Sequence, residues 1–119
     1  MGKYEIQFTL SALDDLHAVE DYISNYSQTA AHKTRQKIVE RTKALADFPR
    51  IGKSAETLGF VDTDLRYVAQ GKYFIFYAVT ETQVEIRRII HSARNIAALL
   101  TEFDFREFAD PEDNDDCNY

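Results

Sequence analysis

Three runs rich in β-branched and aromatic residues constrain the fold of this chain most strongly. They occupy residues 65–70, 73–79 and 84–91, and their composition is typical of β-strands. The runs are joined by short turns around Gly71-Lys72 and Glu81-Thr82-Gln83. A parallel connection needs about a dozen residues or more, so these turns predict an antiparallel three-strand meander.

The first half of the chain predicts one strand and two helices. Apolar Tyr4, Ile6, Phe8 and Leu10 alternate with polar residues, which indicates a strand with one buried face. Ser11 stands where a helix N-cap is expected, and an apolar stripe at helical spacing continues to about Tyr26. A second stripe follows over residues 30–48 and ends at Phe48-Pro49, so we expect two antiparallel helices.

The remaining segments complete the predicted architecture. Residues 50–64 contain two glycines and no clear period, which predicts a connecting loop long enough to suspect a function. Ser92 is a predicted cap for a C-terminal helix that begins near Arg94. The prediction is therefore an α+β fold: an N-terminal strand, a helical hairpin packed on one face of an antiparallel sheet completed by the meander, and a C-terminal helix. The helical hairpin leaves the second sheet face over, and we expect something to cover it or use it.

Charge divides the chain into regions. Residues 31–101 hold twelve Lys and Arg against seven Asp and Glu, although the net charge of the whole chain is −6. Residues 102–119 hold eight acidic residues and only Arg106 as a base. We expect a domain over residues 1–103 and an acidic, flexible tail over residues 104–119.

Cysteine content and hydropathy indicate a cytoplasmic protein. Cys117 is the single cysteine, so no disulfide can form within the chain. There is no run of 18 apolar residues and no export signal pattern in the sequence, so we expect no membrane segment. His17 and His32 lie in the predicted helices without a metal-binding pattern, and the chain lacks the known phosphate-loop motifs. We therefore expect no metal and no cofactor.

Basic residues embedded in the meander are the candidate site. We expect them to lie close together at one end of the sheet and to bind a target; they are Arg66, Arg87, Arg88, His91 and, just past the last strand, Arg94. Simple alternation through residues 84–91 puts Arg88 on one face with Val84, Ile86 and Ile90. Arg88 interrupts this otherwise apolar face, where a guanidinium needs an anionic partner. That partner is either a target anion or the chain itself, through Asp62, Asp64, Glu56 or the tail. His91 suits either acid–base chemistry or packing.

Several short strings together resemble the RelE/ParE toxin superfamily over about residues 4–100. They are Ser11-Ala12-Leu13-Asp14-Asp15-Leu16, Phe48-Pro49-Arg50-Ile51-Gly52-Lys53, Leu65-Arg66, Tyr73-Phe74-Ile75-Phe76-Tyr77 and residues 86–95. The Pro-x-x-Gly string, the Leu-Arg pair and the ending Ile-Ile-His-x-x-Arg-Asn are more similar to the ParE branch. This resemblance implies the toxin of a type II toxin–antitoxin (plasmid stabilisation) system that binds and poisons DNA gyrase. It also implies neutralisation by a cognate antitoxin, in a possible hetero-oligomer.

Two alternatives to gyrase poisoning remain open. In the RelE branch the toxin cleaves messenger RNA on the ribosome, a reaction that requires a base, cations for the phosphate charge and an acid. Carried onto this chain, that resemblance makes Arg66, Arg88 and Arg94 the cations and His91 the acid or base, with Glu56 the only candidate for the missing group. Because no convincing general base is present, we favour binding over catalysis. The second alternative is a non-toxic module that keeps the toxin fold.

The acidic tail allows three further interpretations. Phe103, Phe105 and Phe108 alternate with acidic residues. The segment extends the last helix, screens the basic face of its own domain, or helps to hold the antitoxin; disorder without a role is the remaining option.

Overall fold

The computed structural model describes residues 3–60 and 63–93. In chain order the elements are β1 (Glu5–Phe8), α1 (Leu10–Ser24), α2 (Gln28–Ala44), β2 (Lys53–Ser54), a 3₁₀ helix (Ala55–Leu58), β3 (Arg66–Gln70), β4 (Tyr73–Val79) and β5 (Gln83–His91). The predicted C-terminal helix and the predicted tail lie outside the described residues, and so does Arg94.

The strands form one five-stranded sheet in the order β1-β5-β4-β3-β2. The predicted meander of β3, β4 and β5 is confirmed, and so is the α+β fold with a helical hairpin. The sheet is mixed where we expected it to be antiparallel, because β1 pairs with β5 in parallel. Helix α2 returns the chain to the end of the sheet where β1 begins, as the 3.1 Å hydrogen bond from Tyr4 N to Ala46 O shows. β5, the third strand of the meander, thus runs in the same direction as β1.

Side-chain hydroxyls determine where both helices begin. The N-cap of α1 is Thr9, two residues before the predicted Ser11, and its Oγ1 accepts a 3.1 Å hydrogen bond from Ala12 N. The same hydroxyl lies 3.2 and 3.1 Å from the carbonyl oxygens of Ile86 and Arg87, so it also joins the helix to β5. Ser27 caps α2 through a 3.1 Å hydrogen bond from Ala30 N.

Both faces of the sheet carry a hydrophobic core. The larger core lies between the sheet and the two helices, and its largest buried side chains are Leu16, Val19, Ile38, Leu45, Ile75, Tyr77, Val84 and Ile86. On the opposite face, Ala55 of the 3₁₀ helix and Phe60 pack against Phe76 and Ile90. This part of the second face is therefore covered, as one of the two expected outcomes for it. The segment predicted to be an irregular loop holds β2 and the 3₁₀ helix, and it covers that face.

A β-bulge in β5 changes which side chains share a face. Tyr77 pairs with Ile86 and Phe76 with Arg88, so Arg87 is an extra residue in the ladder. One extra residue moves every later side chain to the other face. Ile89 consequently joins the core under the helices, whereas Ile90 belongs to the core on the second face. The predicted simple alternation through residues 84–91 is wrong beyond Arg87.

Candidate functional site

Arg88 is buried in an ion pair with Asp15 of α1. The residue is 3% exposed, and its Nε and Nη2 donate to Asp15 Oδ2 and Oδ1 at 2.7 and 3.1 Å. Asp15 Oδ2 also accepts a 2.9 Å hydrogen bond from Ile89 N. The pairing of β1 with β5 stops at Ile86, because the chain turns into α1 at Thr9. Within the described residues, Asp15 thus satisfies backbone of β5 where the neighbouring strand has ended.

This geometry revises the interpretation of two candidate arginines. The described partner of Arg88 lies 73 residues away in sequence, and it is neither Asp64 nor Glu56; Asp62 lies outside the described residues. A buried guanidinium held at two nitrogen atoms does not present those atoms to a target. Arg87 is half-buried and donates from Nη2 to Glu85 Oε1 at 3.1 Å. Both arginines are engaged within the fold.

The other candidates lie at different ends of the sheet. Arg66 is opposite Tyr77 on β4, whereas His91 is opposite Tyr73. Tyr73 and Tyr77 are four residue steps apart, which is about 13 Å along a strand. In addition, β3 and β5 lie on opposite sides of β4. The expected single cluster of Arg66 and His91 is therefore wrong, because the two residues belong to separate clefts.

Arg66 lies in a cleft of about 380 Å³, which we call the arginine cleft. Its lining residues are Arg50, Ser54, Thr63, Asp64, Leu65, Arg66 and Val79. Arg66 Nη1 donates to Gly52 O at 2.8 Å and lies 3.3 Å from Arg50 O, so this side chain holds the preceding loop against β3. Arg50 itself is exposed. The cleft therefore combines an anchored guanidinium with an exposed one.

Tyr77 links this cleft to the core. Its buried hydroxyl accepts a 2.9 Å hydrogen bond from Gly52 N. Burial raises the pKa of Tyr77, while that hydrogen bond and the positive charges of Arg66, Arg41 and Arg50 act in the opposite direction. Three guanidinium groups are thus close enough to influence one buried phenol. In the sequence Tyr77 is the last residue of the aromatic string that begins at Tyr73, and nothing in that string indicates its contact with Gly52.

A substitution at Gly52 tests the close contact between Gly52 and Tyr77, which we call the Gly52–Tyr77 anchor. A Cβ atom at this position would lie 2.5 Å from Tyr77 Oη and 2.7 Å from Tyr67 O, and backbone cannot move away cheaply. We expect Gly52→Ala to lower the free energy of unfolding by about 1–3 kcal/mol, the usual cost of overpacking. Urea unfolding followed by circular dichroism measures this. Gly71→Ala is the comparison, because its added Cβ meets no atom within 4 Å and only the positive φ of 62° opposes it; an equal or larger loss there would contradict the packing account.

A short segment with exposed apolar side chains adjoins the arginine cleft. Phe48 and Ile51 are 64% and 58% exposed, and they flank Pro49 and Arg50. Arginine and large aromatic residues are enriched in protein–protein interfaces. We call residues 48–51 the 48–51 loop. The Phe-Pro-Arg-Ile-Gly string was visible in the sequence, but only as part of a resemblance, since nothing in its pattern distinguishes an exposed phenylalanine from a core one.

His91 lies in a second cleft of about 540 Å³, the histidine cleft, between the helices and one end of the sheet. Its lining residues are Tyr22, Ile23, Thr34, Lys37, Ile38, Gln70, Gly71, Lys72, Tyr73 and His91. His91 Nδ1 accepts a 2.9 Å hydrogen bond from Ala93 N, and its ring stands edge-on to Tyr73 with centroids 5.1 Å apart. Sequence reasoning identified His91 but missed the lysines Lys37 and Lys72 beside it, which belong to other elements.

The environment of His91 predicts a pH dependence. Burial, and after it the charge of Lys72, lowers the pKa of His91 below 6.5. The folded protein therefore favours the neutral ring more than the unfolded chain does. This contribution to stability is present above pH 6.5 and is lost as the pH falls through the lower folded-state pKa. Protonation would also remove Nδ1 as an acceptor for Ala93 N.

We expect the urea midpoint of the wild type to fall more between pH 7 and pH 5 than that of His91→Gln. The variant cannot gain a proton at this position, and its amide oxygen can still accept a hydrogen bond. Equal pH slopes for the two proteins would show that His91 does not titrate differently in the folded and unfolded states.

Other site classes receive no support from the described residues. Within residues 3–60 and 63–93, no three His, Cys, Asp or Glu side chains are grouped so as to hold a metal ion. His17 and His32 are both exposed on their helices. No helix of the described chain has the length and apolar character needed to cross a membrane.

Comparisons with known proteins identify the family. A family model described as ParE toxin of type II toxin–antitoxin system, parDE, matches residues 6–96. Toxin RelE2 of Caulobacter vibrioides is 33% identical over 90 residues, which cover 76% of this chain and 97% of the relative.

Two solved structures share the fold. A chromosomal ParDE toxin–antitoxin system from P. aeruginosa has a TM-score of 0.63 at 22% identity, covering 76% of this chain and 98% of that one. The toxin–antitoxin complex RelBE2 from Mycobacterium tuberculosis has a TM-score of 0.54 at 24% identity, covering 79% of this chain and 97% of that one. The chain belongs to the ParE toxin family of type II toxin–antitoxin systems.

Proposed function

We propose that this toxin inhibits growth by binding and poisoning DNA gyrase, and that a cognate antitoxin neutralises it. The observation that supports binding over catalysis is the separation of the basic residues. Arg88 is paired with buried Asp15, Arg87 with Glu85, and Arg66 and His91 lie at opposite ends of β4. Cleaving RNA requires a base, an acid and cations around one phosphate. The described residues provide no such single site.

The surface proposed to bind gyrase is the 48–51 loop together with the arginine cleft. It offers an exposed aromatic ring, an exposed aliphatic side chain and an exposed guanidinium in four consecutive residues. Such anchors supply most of the energy in protein interfaces when they enter a pocket of the partner. This assignment replaces Arg88 as a target contact and retains Arg66 as the residue that holds the loop in position. Arg94, three residues past the end of β5 and outside the described residues, is not part of this surface, and its role as a target contact stays a prediction.

An RNase acting on the ribosome is the second candidate, and one observation favours it. The relative that is 33% identical carries the name Toxin RelE2, which points to the other branch of the superfamily. Under this function Arg66 and His91 would have to be brought to one RNA phosphate from separate clefts.

One preparation of freshly separated toxin distinguishes the two functions. We expect it to block supercoiling of relaxed plasmid by gyrase or to accumulate cleaved DNA, and to leave messenger RNA intact on programmed ribosomes. Addition of the antitoxin encoded beside it is expected to restore gyrase activity. Cuts in the messenger at codon spacing with unaffected gyrase would replace the proposal by the second candidate. Inactivity in both assays, with no growth defect on expression, would instead support a binding module without toxicity.

A further inference from the structure

The lining of the histidine cleft has an apolar, aromatic part and a basic part, and together they favour one kind of ligand. Its apolar and aromatic part consists of Ile23, Ile38, Tyr22 and Tyr73. Lys37 and Lys72 are exposed and stand on α2 and on the turn between β3 and β4. A peptide that alternates aromatic rings with carboxylates satisfies both, because rings pack on aromatic side chains and carboxylates pair with lysine.

Residues 102–119 of this chain are such a peptide, and the strand that precedes them ends at the cleft. Strand β5 ends at His91, and Ser92 N donates a 2.7 Å hydrogen bond to Lys72 O at the rim. The sequence continues from there to residue 119. Residues 102–119 include Phe103, Phe105, Phe108 and Tyr119 among eight acidic residues and one arginine. The family match ends at residue 96, so this peptide lies beyond it.

The connection is long enough and makes the contact intramolecular. The eight residues between Ala93 and residue 102 span at most about 30 Å when extended, which is sufficient to bring the peptide back over the cleft. A short tether of this kind gives an effective concentration in the millimolar range, so weak contacts are enough for docking. The arginine cleft fits the peptide less well, because it lies at the other end of the sheet and Asp64 is part of its lining.

We propose that the acidic segment 102–119 docks in the histidine cleft of its own chain, with its aromatic side chains against Tyr22 and Tyr73 and its carboxylates near Lys37 and Lys72. This contact is independent of the proposed action on gyrase, since it uses the opposite end of the sheet. The basic patch of the histidine cleft is thereby covered by an anionic segment of the same molecule.

Cys117, the only cysteine of the chain, provides the test. A nitroxide label attached there broadens the NMR signals of nearby backbone amides. In the full-length ¹⁵N-labelled protein, we expect the amides of Gly71, Lys72 and His91 to lose most of their intensity. The amides of Ser54 and Arg66 in the arginine cleft are the internal reference and should keep theirs. Salt at 1 M reduces the screening length to about 3 Å and should restore much of the lost intensity.

Charge reversal provides the matched control. Lys37→Glu combined with Lys72→Glu should abolish the broadening. Lys33→Glu combined with Lys43→Glu makes the same charge change at exposed positions outside the cleft lining and should leave it in place. The amide spectra of both variants report whether they remain folded, and the salt titration of the wild type does not depend on either variant.

Three results would overturn the proposal. Broadening centred on Ser54 and Arg66 would place the segment at the arginine cleft. Absence of selective broadening at the histidine cleft would exclude docking. Broadening of ¹⁵N-labelled, label-free protein mixed with nitroxide-labelled ¹⁴N protein would show that the segment binds a second copy of the chain instead of its own.

Discussion

Replacing Asp15 by alanine is expected to lower the free energy of unfolding by about 3–5 kcal/mol, the cost of removing one member of a buried ion pair. Arg88 has a 4% exposed side chain and donates to both carboxylate oxygens of Asp15. The same substitution removes the acceptor of Ile89 N at the edge of β5. A loss of this size is a large fraction of the total stability of a small domain. Urea unfolding measures this loss of stability. Recovery of the variant only from inclusion bodies would be the extreme form of the same result.

Two further variants separate the ion pair from general disturbance. Glu85→Ala breaks the Arg87–Glu85 pair, whose side chains are 31–32% exposed, and should cost less than about 1 kcal/mol. Asp15→Leu combined with Arg88→Met replaces the buried pair by apolar groups, and we expect it to recover much of the loss. A cost below about 1 kcal/mol for Asp15→Ala would show that Arg88 finds another partner, and a double variant as unstable as Asp15→Ala would assign the loss to Ile89 N.

The second large effect is expected at the 48–51 loop. Phe48→Ser combined with Arg50→Glu removes the exposed aromatic ring and reverses the exposed charge, while the Gly52–Tyr77 anchor and the Arg66–Gly52 hydrogen bond remain. Central interface residues of this type contribute about 2 kcal/mol or more, which corresponds to about a 30-fold rise in the toxin concentration needed to inhibit gyrase. Because both side chains are exposed, we expect the free energy of unfolding of the variant to be unchanged within about 0.5 kcal/mol.

A matched control variant changes the same chemistry elsewhere. Tyr26→Ser combined with Lys33→Glu removes an aromatic residue that is 75% exposed and reverses one exposed lysine, both on the helical hairpin. It should inhibit gyrase as the wild type does. Equal weakening by both variants would indicate an effect of net charge alone.

Local sequence patterns were sufficient for the meander and the helical hairpin. Strand composition and two short turns led to β3, β4 and β5 nearly to the residue, because these signals depend on neighbours in sequence. The start of α1 was placed too late, since the choice of Thr9 over Ser11 depends on the carbonyl groups of Ile86 and Arg87 in a distant strand. The parallel pairing of β1 is another long-range feature that periodicity does not encode.

The candidate site was harder to predict than the fold. Arg88 was recognised as unusual from the apolar residues around it, but its partner Asp15 belongs to a helix 73 residues earlier. The bulge at Arg87 moved the later side chains of β5 to opposite faces, so a count by twos failed there. Arg66 and His91 were grouped because both lie in the meander, whereas strand direction places them at opposite ends of it. Residue type was enough to select candidate residues, but their positions in the sheet depend on the strand register, which the sequence pattern did not show.

Inhibition of gyrase supercoiling, measured over a range of toxin concentrations, tests the central claim most directly. The wild type and the Tyr26→Ser/Lys33→Glu control should inhibit with the same midpoint, and the Phe48→Ser/Arg50→Glu variant should require about 30-fold more protein. The account would be contradicted if the toxin arrests growth when it is expressed, yet the purified protein leaves supercoiling by gyrase unchanged at every concentration.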